Sequence, residues 1–98
     1  ALFRRDDVLR TMRSEGRMQL ATLRRQQERL LRFEETLLPD AEANSESAYS
    51  AYQAALGDLT ALMRARITEF ELRLEYAALQ AETMKTVARL KYLQGETS

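Results

Sequence analysis

Leucine recurs in steps of seven along the first third of the chain, at Leu2, Leu9, Leu23, Leu30 and Leu37, with Gly16 on the vacant step. A sevenfold apolar repeat holds one seam of a helix against a partner helix, so this spacing predicts a coiled-coil-like helix over residues 2–37. Val8, Met12, Leu20 and Leu31 are expected to widen the seam. Asp6 with Arg10, Glu28 with Arg32, and Glu69 with Arg73 are acid-first pairs at i,i+4. Each adds roughly 0.2–0.5 kcal/mol to a helix. Pro39 is the one strong break signal, because an interior proline removes a hydrogen bond and costs about 3 kcal/mol, usually seen as a kink. Helical composition resumes after it through Ala41, Ala43, Ala48, Ala51, Ala54 and Ala55, with Tyr49 and Tyr52 on one face. The pattern predicts one long helix over residues 1–55, bent near Pro39.

The next punctuation is Leu56-Gly57-Asp58, a tip turn over residues 56–58. Gly57 suits the helix-terminating position that needs positive φ, and Asp58 suits an N-cap whose carboxylate accepts backbone N–H groups of the next helix. A returning helix is predicted over 59–94, ending before Gly95, with 95–98 as a tail. It carries two apolar rows. Met63, Ile67, Phe70, Leu74, Ala77, Ala81, Met84 and Ala88 alternate in steps of four and three and read as the core row. Leu72, Tyr76, Leu79, Thr83, Val87 and Leu90 form the other. Leu72 and Leu74 differ by ~200° around a helix, so the rows lie on roughly opposite flanks. A two-helix hairpin covers one flank only. The other requires a further helix, from a dimerising copy or from a parent assembly.

Composition agrees with helices. The 98 residues include one Pro, three Gly, two Val and one Ile, too few turn and β-branched residues for a sheet. The predicted fold class is therefore all-α, a long antiparallel helical hairpin. Cys and His are absent, which excludes disulfides, thiolate or imidazole metal sites and Cys/His nucleophiles. Glu34/Glu35 and Glu69/Glu71/Glu75 read as solvated helix faces, Ser45, Ser47 and Ser50 lack a base, and the glycines are isolated, so no phosphate loop exists. No enzymatic chemistry, cofactor or metal is expected, and the four methionines read as packing residues rather than soft ligands. The chain begins at Ala1 without an initiator Met or signal-peptide pattern, and no apolar run approaches the ~20 residues of a spanning helix. It is expected to be a soluble piece cut from a longer protein.

Net charge is zero, yet the charges are sorted. Residues 1–32 hold nine Arg against four acids, and residues 33–60 hold six acids and no base. Such asymmetry can signal nucleic-acid contact. Here the Arg residues are spread around the helix without interleaved aromatics, so solvated faces are the better reading, and no nucleic-acid partner is expected.

From about Glu15 to Glu96 the order of short motifs resembles the last periplasmic helical segment of the TolC-type outer-membrane efflux channels. Leu37-Leu38-Pro39-Asp40-Ala41-Glu42 is similar to the family's Leu-Leu-Pro-x-Ala-Glu, and Ala51-Tyr52-Gln53-Ala54 precedes the turn. Leu59-Thr60-Ala61-Leu62-Met63 stands where the family enters its returning helix. Glu71-Leu72-Arg73-Leu74-Glu75-Tyr76 resembles Glu-Leu-x-x-Glu-Tyr, and Arg89-Leu90-Lys91-Tyr92-Leu93-Gln94-Gly95 resembles the closing Leu-x-x-Leu-x-Gly. Among subtypes, the heavy-metal and multidrug channels partnered by RND pumps look closest. The resemblance implies a fragment of a periplasmic α-barrel beneath an outer-membrane β-barrel. It also implies a homo-trimer, a periplasmic adaptor (membrane-fusion) protein, an inner-membrane RND pump and passive export of drugs or metal ions. It implies that Tyr52, Ala55, Leu56, Gly57, Asp58, Leu59 and Thr60 form the adaptor-docking tip, and that Ala61 and Arg64 face the aperture. Many relatives carry an acid at the position of Arg64, some also at that of Ala61, and often Gly at that of Ala55, so an acidic, cation-selecting gate does not carry over.

Overall fold

The computed structural model describes residues 2–97; Ala1 and Ser98, and the side chains of Leu2, Phe3 and Thr97, lie outside the described residues. Helix α1 (Leu2–Arg32) passes into one π-helical turn (Phe33–Leu37), then α2 (Leu38–Gln53), a turn over residues 54–58, and α3 (Leu59–Thr97), with no strand among the described residues. The first arm thus stays helical through Pro39, and α3 runs on through Gly95, where the sequence reading stops it at 94. Gly95 has nothing near its Cα for a side chain to meet, so no packing feature ends the helix there. The chain falls into two compact units, Ala1–Glu28 with Gln80–Ser98, and Arg29–Leu79.

In the first unit the apolar seam is thin. Leu93 and Thr86 are buried on the α3 side, with Thr83, Val87 and Leu90 half-buried beside them. From α1, Leu9, Met12, Gly16, Gln19, Leu23 and Gln26 face inward at heptad spacing. Val8 and Leu20 are exposed rather than widening the seam, Met18 is exposed rather than packed, and Met84 is 73% exposed rather than in the core. The vacant step at Gly16 leaves an open groove of about 380 Å³ lined by Met12, Leu20, Leu90 and Leu93 and edged by Arg13 and Arg17. A cross-arm ion pair lies nearby: Arg89 Nε and Nη2 donate to Glu15 Oε1 at 2.8 and 2.5 Å, while the same guanidinium lies 5.4 Å from the Tyr92 ring centre. Arg89 is about half exposed, so this pair fixes geometry more than it stabilises.

In the second unit the two arms run antiparallel, as the pairs Phe33–Tyr76 and Tyr49–Arg66 require. The first arm buries Phe33, Ala41 and Ser45, and α3 buries Ala65 and Leu79 with Leu62, Glu69, Leu72 and Tyr76 half-buried between them. Read along α3, residues 62, 65, 69, 72, 76 and 79 step strictly by three and four, so this row is the hairpin seam. The row expected to be core is the one left out: Met63, Ile67, Phe70 and Leu74 are each more than half exposed, and so is Leu31 on the first arm. A single face closes the hairpin, as the sequence argued. It is the more polar face, holding Glu69 and Tyr76.

The π-turn has a definite cause. Inward positions on the first arm run 30, 33, 37 and then 41, 45, 48, one residue out of phase with an unbroken heptad. A π-turn takes up one extra residue, here through the Leu38 N–H donating to the Phe33 carbonyl. Pro39 sits in the first turn of α2, where its missing N–H matters least. Widening the preceding turn also relieves the clash between its ring and the carbonyl four residues back. Two predictions separate this reading from a simple proline kink. Deleting the exposed Thr36 together with Pro39→Ala should leave helix content and the thermal midpoint unchanged or higher, because a plain α-turn then brings the same residues inward. Deleting the equally exposed Ala43 should lower stability by about 1–2 kcal/mol by circular dichroism melting, since it throws Ala41 and Ser45 out of phase. Equal losses from both deletions would refute the register account.

Candidate functional site

The tip is built from the end of α2. Leu56 N–H donates to the Ala51 carbonyl at 2.8 Å, Gly57 N–H to the same oxygen at 3.1 Å, and Ala55 N–H to Tyr52 O at 3.1 Å. Bonds from 56 to 51 and from 55 to 52 make a Schellman closure, which requires a left-handed residue between the helix and the exit strand of the turn. That residue is Ala55, with φ 58°. Positive φ was expected at Gly57; no glycine has it. Gly57 is small for another reason, since a Cβ there would lie 3.1 Å from Ala51 Cβ and 3.6 Å from its carbonyl carbon. Asp58 caps α3 as the sequence suggested, its Oδ1 accepting the Ala61 N–H at 2.6 Å.

The turn presents its apolar side chains to solvent. Leu56 is 85% exposed, and Tyr52, Leu59, Thr60, Ala61 and Arg64 are exposed as well. The residues that the resemblance assigns to the tip are therefore contiguous and open, from Tyr52 through Arg64. No pair of them forms a catalytic arrangement, and among the described residues no group of three acids, His or Cys is placed to hold a metal ion.

Below the tip lies a polar layer that sequence reasoning passed over. Glu69 occupies a seam position, its side chain only 14% exposed, and is held by Arg73 at 2.8 Å and Arg66 at 3.8 Å. Its carboxyl is kept below the ordinary glutamate range, first by the Arg73 hydrogen bond; burial opposes this, while the Ser45 hydroxyl and the charges of Arg73 and Arg66 add to it. The Ser45 Oγ is itself enclosed, and no bond closes there to normal hydrogen-bond geometry. Arg73 is pushed up in turn by Glu69. Arg66 lies 5.5 Å from the Tyr49 ring centre, and Tyr49 Oη accepts from Gln53 Nε2 at 3.0 Å. The ion pairs of this layer lie within α3, and the Arg66–Tyr49 contact carries it across to α2. The signal that could have found it is the 62, 65, 69, 72 spacing, which places an acid on the seam.

The next layer holds the π-turn. Phe33 and Tyr76 meet with ring centres 5.9 Å apart, and the Tyr76 hydroxyl donates to Glu34 Oε1 at 2.5 Å. No protein-family model, curated protein or solved structure matches the chain. No helix among the described residues is long and apolar enough to cross a membrane.

Two measurements test the site's construction. Ala55→Gly should stabilise the chain by about 1 kcal/mol in thermal unfolding, because glycine occupies positive φ without the Cβ penalty, and Gly57→Ala should destabilise it. The depressed Glu69 carboxyl contributes stability that is complete at neutral pH, above the ordinary value of 4.5. That contribution is lost as pH falls through the depressed value. Glu69→Gln should flatten the acid limb of the stability profile in that window; an unchanged limb would exclude Glu69 as its source.

Proposed function

We propose that the chain is a wall-and-tip hairpin of the periplasmic α-barrel of a TolC-type outer-membrane efflux channel, a structural and docking element with no chemistry of its own. The observation that carries this reading is the exposed apolar row of α3, Met63, Ile67, Phe70 and Leu74. A helix with a closed seam on one flank and an apolar row on the other is suited to a tube wall, where each helix has neighbours on both sides. The open tip supports the same reading. Tyr52, Ala55, Leu56, Gly57, Asp58, Leu59 and Thr60 offer an apolar, base-free surface to a periplasmic adaptor, and the capped turn holds it in one shape. In this reading the full protein is a homo-trimer working with an RND-type pump, and transport through it is passive. Arg64 and Ala61 replace acids near the aperture, so the gate would not attract cations by an acidic ring.

Pairing of two hairpins into a four-helix bundle is the second reading, favoured by the same exposed row. Location separates them. A tagged product of the parent gene should fractionate with the outer membrane, and a cysteine at Leu56 should cross-link to the adaptor. Recovery in the cytosol, with no cross-link, would sink the channel reading.

A further inference from the structure

We infer that the exposed row of α3 takes a second copy of this chain, row on row and antiparallel, with Arg64 of each copy facing Glu71 of the other. This does not rest on the channel reading, since it concerns only what two copies of the chain do when they meet.

The argument begins with which charges are already committed. Along one edge of the row stand Arg66 and Arg73, and both are paired with Glu69 of their own helix. Arg66 is further held over the Tyr49 ring. Along the other edge stand Arg64 and Glu71, both exposed, and among the described residues neither has an ion partner. They are seven residues apart, about 10 Å along the axis, too far to pair with each other. Opposite charges on either side of the middle of an apolar row can meet across a single operation, a two-fold axis perpendicular to the helix.

The register follows. With the axis passing between the copies near Ile67–Phe70, Ile67 of one copy packs on Phe70 of the other, and Met63 packs on Leu74. Each of these pairs occurs twice, which places a large side chain against a large one in every layer. Arg64 then falls within about two residues' rise of the other copy's Glu71, again twice. The parallel arrangement would need Arg66 to leave Glu69 and Tyr49 to reach Glu71, and would set Arg64 beside Arg66 of the other copy. Net charge favours this face as well. From Leu59 to Leu79, α3 carries three Arg and three Glu, whereas the first arm of the same unit concentrates Glu34, Glu35, Asp40, Glu42 and Glu46. Two copies meeting through α3 avoid the repulsion they would meet through α2.

Sedimentation equilibrium of the 98-residue chain at low salt tests the inference. The chain should dimerise. Arg64→Glu and Glu71→Arg should each weaken the dimer about tenfold, through two symmetric contacts turned repulsive. The doubly swapped chain should recover wild-type affinity. Ile67→Asn with Phe70→Asn should abolish dimerisation while leaving helix content intact, because both side chains are exposed in the single chain. A monomeric wild-type chain overturns the inference. So does a dimer indifferent to the charge swap, or one that survives the Asn pair, since either would lie on another face. None of these outcomes bears on whether the parent protein reaches the outer membrane.

Discussion

The first arm of the Arg29–Leu79 unit carries one residue more than an unbroken α-helix could keep in phase with its partner, and the turn at Phe33–Leu37 is where that residue is absorbed. Everything from Pro39 to the tip depends on it. In a continuous α-helix the inward positions after Phe33 and Leu37 would fall on Asp40, Asn44 and Ser47, placing a carboxylate and an amide on the seam at the cost of desolvating them. The widened turn delivers Ala41, Ser45 and Ala48 instead. Tyr76 holds the turn from the opposite arm at two points, its ring against Phe33 and its hydroxyl on Glu34. The extra residue, the proline and the tyrosine form one device, with the proline discouraging a return to the narrower turn.

Small residues then determine how the arms meet. Ala41, Ser45 and Ala65 are buried with little side chain to interdigitate, so the arms can approach closely while gaining little from apolar burial. Arg66, held by Glu69 on its own helix, lies over the Tyr49 ring and joins the arms at this level. A carboxylate on the seam is tolerated because its cations stand on the same helix, one turn either side, and move with it. The tip adds a local constraint. Ala55 sits in a left-handed conformation that an alanine resists, and the bonds from Leu56 and Gly57 to Ala51 offset the strain.

The helices, the reversal and the Asp58 cap were legible because each rests on local chemistry: spacing, propensity, and a short acid before an apolar run. The choice of seam was not. Two rows on α3 have the same period, and periodicity carries no information about which one the other arm covers. Hydrophobicity favours the wrong row, since Met63, Ile67, Phe70 and Leu74 outrank a set containing Ala65 and Glu69. The tip was half legible. A glycine near a helix end marks the turn, but positive φ falls where the closing bonds require it, two residues before Gly57, while the glycine answers a close approach to Ala51. The π-turn could have been found by comparing phases on either side of Pro39. Proline draws attention to its own missing hydrogen bond, and the counted residue is easily overlooked. The channel reading rests on the order of short motifs along the chain.

Apolar side chains lie on both flanks of α3, more than a self-sufficient hairpin needs. In the Arg29–Leu79 unit the seam side of α3 includes Ala65 and Glu69 among Leu62, Leu72, Tyr76 and Leu79, while Met63, Ile67, Phe70 and Leu74 face out. With four large apolar residues left exposed, anything that covers the outward row adds to folding free energy by mass action as well as to assembly. The two roles are thereby coupled: the hairpin is most stable where it is most crowded. Charge reinforces this division of faces. The α3 side is neutral over Leu59–Leu79 and presents no net field to an apolar neighbour, while the first arm turns its acids the other way. A neighbour that approaches the row therefore meets hydrophobic surface edged by one free Arg and one free Glu. The sign pattern at that edge, rather than the area of the row, decides which orientation is accepted.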